Sequence, residues 1–170
     1  MLRSMLVGDV EMVLSWRNDL SIRQYMYSQH KIQYKEHEQW FARSSRSAEI
    51  KLLILEIDTE SLGFIQFKLN DKRDGVGEWG FYVSPQAPPG TGSMLGRQGV
   101  AYAFRELKLR KLYGKAIAYN KKSINFHKKL GFSHEDTLRE HYFDGSDYHD
   151  VIVFGFMSED WFSNKRERKI

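Results

Sequence analysis

The chain has 170 residues, enough for one domain with a real core, because folding a chain of this size hides roughly 70% of its unfolded surface. Its 41% hydrophobic and 14% aromatic content lies outside the disordered class, and the absence of cysteine excludes disulfides, thiolate metal sites and cysteine nucleophiles while favouring a reducing compartment. The net charge of +4 raises the question of nucleic acid, but the excess gathers in Lys108 to Lys115, Lys121 to Lys129 and Lys165 to Lys169, runs that ordinarily form solvated faces or chain ends and can also make a basic mouth for a phosphate-bearing ligand.

The N-terminus meets Arg3, Gly8 and Asp9 too early for a signal-peptide apolar region, and no run approaches the length of a membrane span. A cytoplasmic protein without a membrane partner is therefore expected. Asp9 is placed to cap a first helix running to Asn18, with Val10, Val13, Leu14 and Arg17 at helical spacing. A second helix is expected over Ser21 to Tyr27 and a third over Tyr34 to Ser44, whose His37, Trp40 and Phe41 share a face. Lys51 to Ile57 and Leu62 to Leu69 read as antiparallel strands joined by the turn Asp58 to Ser61. After the turn Asp71 to Gly75, a third strand spans Gly77 to Val83, with Glu78, Gly80 and Tyr82 on one side and Trp79, Phe81 and Val83 on the other.

A turn from Pro85 to Gly92 leads into a helix over Ser93 to Leu107. Then come a strand (Leu112 to Ala118), a helix (Lys121 to Lys129) and two closing strands (Ser133 to Arg139 and Tyr148 to Phe156) around the turn Asp144-Gly145-Ser146. No repeat or linker interrupts this order, so the expected fold is one mixed α/β (α+β) domain over residues 1–162 with a basic tail over 163–170.

Two stretches carry chemistry. The first is the turn Pro88-Pro89-Gly90-Thr91-Gly92-Ser93 between a strand and a helix. A helix N-terminus presents unpaired N–H groups and the positive end of its dipole, so such a turn is an anion cradle. Gly90 and Gly92 permit close backbone approach, and Thr91 and Ser93 can add hydroxyl donors. Taken alone, two glycines in a loop equally describe a plain connection. The second stretch is Asn120-x-x-Ser123-x-x-x-His127-x-x-x-Gly131-Phe132, in which Asn120 can also serve simply as a helix cap and Gly131 as a C-terminal turn.

Together the two stretches resemble the acetyl-CoA-binding motifs of the Gcn5-related N-acetyltransferases, and the resemblance extends over nearly the whole chain. It implies a central, mostly antiparallel, splayed sheet flanked by helices, with acetyl-CoA as co-substrate and no metal. It also implies that Tyr82 and Val83 form the pantetheine-facing strand end and that Gly90, Thr91, Gly92, Ser93 and Met94 cradle the pyrophosphate, with Asn120 and Ser123 reaching the cofactor. Ala87 stands where the family carries a long polar side chain, so that one contact is missing. At position 127 many members carry a tyrosine that protonates the leaving thiolate. Here His127 takes that place as a cofactor-binding residue and candidate acid, against the alternative of a locally packed histidine, and Tyr142 is the rival acid.

Acetyl transfer needs a neutral amine and a path for its proton. Glu78, on the Tyr82 face of its strand, is the candidate base, against the alternative of a carboxylate paired with a lysine. The segments Trp16-Arg17-Asn18-Asp19, Ile22 to Met26 and Tyr34 to Phe41, with His30 between them, resemble the opening of the Rim-type subgroup, and within it the enzymes that acetylate the 4-amino group of a UDP-linked 4-amino-4,6-dideoxy sugar of the pseudaminic-acid pathway type. That resemblance implies a nucleotide-sugar substrate held by Arg17, His30, Glu78 and Tyr82. For Arg17 the alternative is an ion pair with Asp19 or Glu11. Protein N-terminal or polyamine acetylation is the competing acceptor class, and a basic nucleic-acid module the competing non-enzyme. Without cysteine the expected chemistry is direct attack. The sequence leaves a homodimer open.

Overall fold

The computed structural model describes residues 1–70 and 73–167, with side chains to Ser163. Asp71 and Lys72 of the expected turn and residues 168–170 of the basic tail lie outside the described residues. The chain gathers into two compact units, Met1–Lys68 with Gly80–Gly99, and Leu69–Trp79 with Val100–Ile170. The division falls inside a strand and inside a helix, not at a linker. Seven strands are hydrogen-bonded in the order β1-β2-β3-β4-β5-β7-β6.

In the first unit a short β1 (Leu2–Ser4) pairs antiparallel with β2 (Ile50–Ile57), Leu2 opposite Leu55. β2 pairs antiparallel with β3 (Glu60–Leu69). The connecting residues Asp58 and Thr59 both have positive φ, +48° and +68°. Such a pair of left-handed residues gives a two-residue turn whose twist matches the flanking strands. Helix α1 (Val10–Asn18) buries Val10, Val13 and Trp16 against Leu52, Ile54 and Phe64 of the sheet. Trp16, not Arg17, completes the apolar face of α1.

Asp9 does not cap α1 with its side chain. Its carboxylate is instead gripped by Arg3, at 2.7 and 2.9 Å, and accepts the Leu6 N–H. Helix α2 is the single turn Leu20–Arg23, begun by Asp19, whose carboxylate accepts from Ser21 N. Tyr25 to Tyr27, expected to be helical, lie beyond it. Helix α3 (Tyr34–Ser44) agrees with its expected bounds.

β4 (Val76–Val83) supplies strand to both units and leads to α4 (Thr91–Arg105). In the second unit the first residues of β4 pair parallel with β5 (Lys111–Ile117), from Val76 opposite Lys111 to Glu78 opposite Tyr113. That parallel register ends there. β5 pairs antiparallel with β7 (Tyr148–Met157), which pairs with β6 (Ser133–Phe143). β6 runs four residues past the expected end at Arg139, through a bulge between Leu138 and Tyr142. Helix α5 is Lys121–Leu130. The chain expected as a tail from residue 163 is helical through 167, within α6 (Ser158–Glu167).

Candidate functional site

The glycine turn of the first unit is built as an anion cradle requires. Gly90 has φ +93°, a conformation that favours glycine, and a Cβ at Gly90 or Gly92 would meet nothing within 4 Å. Space for a ligand therefore lies against the backbone itself. Thr91 spends its amide and its hydroxyl on the Pro88 carbonyl, at 3.2 and 2.7 Å, and Met94 N–H returns to Gly90 O. These bonds fix the turn while leaving the first-turn amides of Gly92 and Ser93 unspent. The Thr91 hydroxyl, expected to face a ligand, is buried and serves the turn. The residues present fit a pyrophosphate, because backbone donors at a helix N-terminus are the chemistry such a group needs.

The same unit holds Arg17 and Tyr82. Tyr82 is half-buried, its ring 5.1 Å from that of Phe64, and burial pushes its phenol well above the usual range while the nearby Arg17 guanidinium opposes the shift. Arg17 donates through Nη2 to the Ser28 carbonyl at 2.7 Å, whereas its Nη1 is buried without a hydrogen-bond partner. Burial lowers its proton affinity, but a guanidinium keeps its charge in proteins. The ion pair with Asp19 or Glu11 is not what holds Arg17. His30 sits at the surface, 58% exposed at its side chain, bonded to Ser28 Oγ and paired with Glu36 at 3.3 Å.

The sequence pattern places His37 only on a helix face. It is 4% exposed, stacks on Trp40 with ring centroids 4.7 Å apart, and its Nε2 has no hydrogen-bond partner. Burial, helped by Arg17, pushes its pKa down to about 4, so the ring is neutral at pH 7. A buried unsatisfied polar group costs about 1–3 kcal/mol. Two of them in one unit, on α1 and α3, call for an explanation.

In the second unit Glu78 accepts from Tyr113 Oη at 3.2 Å and lies 3.4 Å from Lys115 Nζ. The carboxylate is thus both paired with a lysine and about 29% exposed. Burial, the charge of Glu78 and the bond to it raise the Tyr113 phenol.

Asn120 begins α5 as its N-cap, its Oδ1 accepting from Ser123 N at 3.1 Å. Capping uses the carbonyl end of the amide only. The helix closes at Gly131, φ +99°, with Gly131 N–H on Lys128 O and Phe132 N–H on His127 O. The Gly131-Phe132 pair is thereby a helix stop that sends Phe132 into the core, stacked 5.1 Å from Trp79.

His127 is 2% exposed. Its Nδ1 lies 2.8 Å from the Ser123 carbonyl, which can only accept, so Nδ1 carries the proton. Its Nε2 accepts from Trp79 Nε1–H at 3.1 Å, and the ring stacks on Phe154 at 4.9 Å. Burial lowers its pKa, the Ser123 bond opposing in part. With its one proton held by a backbone carbonyl, the ring is not poised to donate to a ligand. This geometry is that of the locally packed alternative to a candidate acid at 127. Tyr142 is 7% exposed and packs with Ile117 and Val151. Its ring also stacks on that of His149, with centroids 6.3 Å apart. Among the described residues no three His, Asp or Glu side chains are placed to hold a metal ion, and no helix is long and apolar enough to cross a membrane.

A mixed sheet whose fourth strand leads through a glycine turn into a helix, followed by a strand and an Asn-capped helix, is the arrangement of an acyl-CoA-dependent transferase. Residues 1–133 match the acetyltransferase (GNAT) domain family, and the chain belongs to that family. It is an acetyl-CoA-dependent N-acetyltransferase. It is similar to acetyltransferase PseH of Campylobacter jejuni, 25% identical over 134 residues that cover 79% of this chain and 83% of that protein. It is also similar to spermidine N(1)-acetyltransferase of Escherichia coli K12, 24% identical over 145 residues, 85% of this chain and 78% of that protein. Among solved structures, spermidine N-acetyltransferase from Vibrio cholerae in complex with CoA and spermine has a TM-score of 0.86 at 19% identity, covering 95% of this chain and 97% of that one. That likeness is one of fold.

Proposed function

We propose that the enzyme moves acetyl from acetyl-CoA to the 4-amino group of a UDP-linked 4-amino-4,6-dideoxy sugar by direct attack of the amine. The observation that carries this reading is the Arg17 guanidinium: half-buried beside Tyr82, with Nη1 unpartnered, it favours an uncharged or anionic acceptor. A polyammonium would meet repulsion there. The similarity to PseH supports the same choice. Polyamine acetylation is the second reading, favoured by the similarity to spermidine acetyltransferases in sequence and fold.

Bound acetyl-CoA supplies an activated acyl carbon and a thiolate leaving group. The chain's own part is binding, orientation and proton movement. Gly90 to Met94 would hold the pyrophosphate, the strand end Tyr82-Val83 the pantetheine arm, and Asn120 Nδ2 and Ser123 Oγ would add donors from α5. Glu78 would take the amine proton, since Tyr113 and Lys115 hold its side chain in place while it keeps an exposed edge. With His127 and Tyr142 both buried, the thiolate would be protonated from water. A thiolate is a good enough leaving group not to require a strong acid.

A thioester-release assay over UDP-linked 4-amino-4,6-dideoxy sugars, spermidine and N-terminal peptides tests the acceptor. Turnover of the sugars with little of spermidine is expected. The reverse order rejects the reading in favour of the polyamine.

A further inference from the structure

Arg17 Nη1 on α1 and His37 Nε2 on α3 are buried without hydrogen-bond partners. The two helices pack against each other, and the guanidinium lowers the proton affinity of the imidazole. Neither is tied to the usual partners nearby: Arg17 gives only Nη2 to Ser28, and Glu36 pairs with His30. Buried polar groups are nearly always matched, by protein, ligand or ordered water, so an unmatched pair on two helices asks for a partner.

The surroundings say what kind of group it is. A guanidinium only donates, and the Nε2 of a neutral imidazole can accept or donate according to its tautomer. Together they match a hydroxyl, which accepts from one and donates to the other, or an acylamino group with its C=O and N–H. An ammonium has no lone pair for Arg17 and adds like charge. An aromatic run adjoins the pair, from His37 to Trp40 at 4.7 Å, Trp40 to Phe64 at 6.1 Å and Phe64 to Tyr82 at 5.1 Å. Trp40 and Tyr82 are only partly buried. Partly exposed aromatic faces beside fixed polar groups suit a sugar ring, with its apolar C–H face and polar rim. Access is near, because Arg17 is itself only half-buried and Ser28 is exposed.

We propose that Arg17 Nη1 and His37 Nε2 form a two-point receptor for a hydroxyl or acylamino group on the acceptor's sugar ring, with Trp40 and Tyr82 as the wall along which the ring lies. The proposal rests on the nucleotide-sugar reading above and extends it by making His37 a binding residue for the acceptor. His37 acts on acceptor affinity and takes no part in acetyl-CoA binding.

The test uses the full chain with a UDP-linked 4-amino-4,6-dideoxy sugar. His37→Phe keeps an aromatic ring on Trp40 and deletes Nε2, and His37→Gln returns a polar atom. In His37→Phe the KM for the sugar should rise at least about tenfold, with kcat and the thermal shift given by acetyl-CoA unchanged, and His37→Gln should recover part of the loss. Because a variant can fail to fold, the wild-type protein carries an independent reading: the ¹⁵N resonance of His37 Nε2 should move on titration with the sugar and not with acetyl-CoA. An unmoved resonance, or a KM within twofold of wild type in both variants, overturns the receptor and leaves the atoms to an internal water. Turnover of spermidine and none of the sugar overturns the acceptor reading instead, and with it the ligand named here.

Discussion

Trp79 donates its indole N–H to Nε2 of His127 across 3.1 Å, and the space for that bond exists because residue 114 has no side chain. A Cβ on Gly114 would lie 2.6 Å from Trp79 Nε1 and 2.7 Å from His127 Nε2. The histidine at the family's acid position is thus locked into a three-element joint of β4, β5 and α5.

Gly114→Ala should therefore be among the most damaging single-methyl additions in the chain. Overpacking typically costs about 1–3 kcal/mol, and the displaced indole and imidazole lose their bond as well. Denaturant unfolding monitored by tryptophan fluorescence should show a lower midpoint at unchanged slope. A midpoint equal to wild type would mean that the joint yields freely.

His127→Phe removes the acceptor of the buried Trp79 indole N–H and the ring's bond to the half-buried Ser123 carbonyl, a loss of about 1–3 kcal/mol in all. At roughly 2–4 °C per kcal/mol for a chain of this size, the melting temperature should fall by several degrees. The kcat per folded molecule should stay within a few-fold of wild type. A hundredfold loss of kcat in a variant as stable as wild type would return the acid role to His127.

Most of the fold was legible in the sequence, because α1, α3, β2 to β5 and α5 have clean periodicity and chemically sensible ends. What escaped has physical reasons. β1 is three residues long and acquires its identity only by pairing with β2, a partner about fifty residues away in sequence. α6 was hidden by its basic C-terminal half, although Ser158 followed by Glu159 and Asp160 is an ordinary helix opening. At the site, the spacing from Asn120 to Phe132 identified the family but could not tell a packed His127 from an exposed one. That distinction depends on Trp79 and Phe154, which no local pattern brings to the histidine. His37 was visible as a neighbour of Trp40, but its unpartnered nitrogen is a property of three-dimensional packing.

Both buried histidines make stability sensitive to acid. His37 has its pKa lowered to about 4 by burial and by Arg17 on α1, with Glu36 on its own helix opposing, and His127 is lowered by burial. The unfolded chain protonates its histidines near pH 6.5. Between that pH and the folded values the unfolded state binds more protons, so stability is full above about 6.5 and declines as the pH falls toward 4. Urea midpoints at pH 7.5, 6 and 5 should decrease in that order, and His37→Gln should flatten the slope. A rise in stability on acidification would contradict neutral, buried rings.

Glu78→Gln keeps the shape of the side chain and removes its basicity. The pair with Lys115 is partly exposed and worth only about 0–1 kcal/mol, so folding should be little changed. Loss of a general base typically costs about 100-fold or more in rate, and kcat should fall by that order at neutral pH, with a smaller loss at higher pH as more of the amine is already neutral. Wild-type kcat in the variant would assign the proton to solvent and leave Glu78 as a partner of Lys115.

Gly92 separates the needs of the fold from those of the cradle. Its φ is not in the left-handed region and a Cβ there meets nothing within 4 Å, so alanine strains nothing in the free protein. Within a helix an alanine is favoured over glycine by about 0.8–1.0 kcal/mol, less at a terminus. Gly92→Ala should thus unfold at the same or a slightly higher temperature without ligand. The added methyl, however, occupies the space against the backbone that a pyrophosphate would use, so the rise in melting temperature on adding acetyl-CoA should shrink and the KM for acetyl-CoA should increase. Gly90→Ala should behave differently, losing stability in the free protein as well, because its φ of +93° is unfavourable to any side chain. An undiminished acetyl-CoA shift in Gly92→Ala would move the phosphate cradle away from this turn.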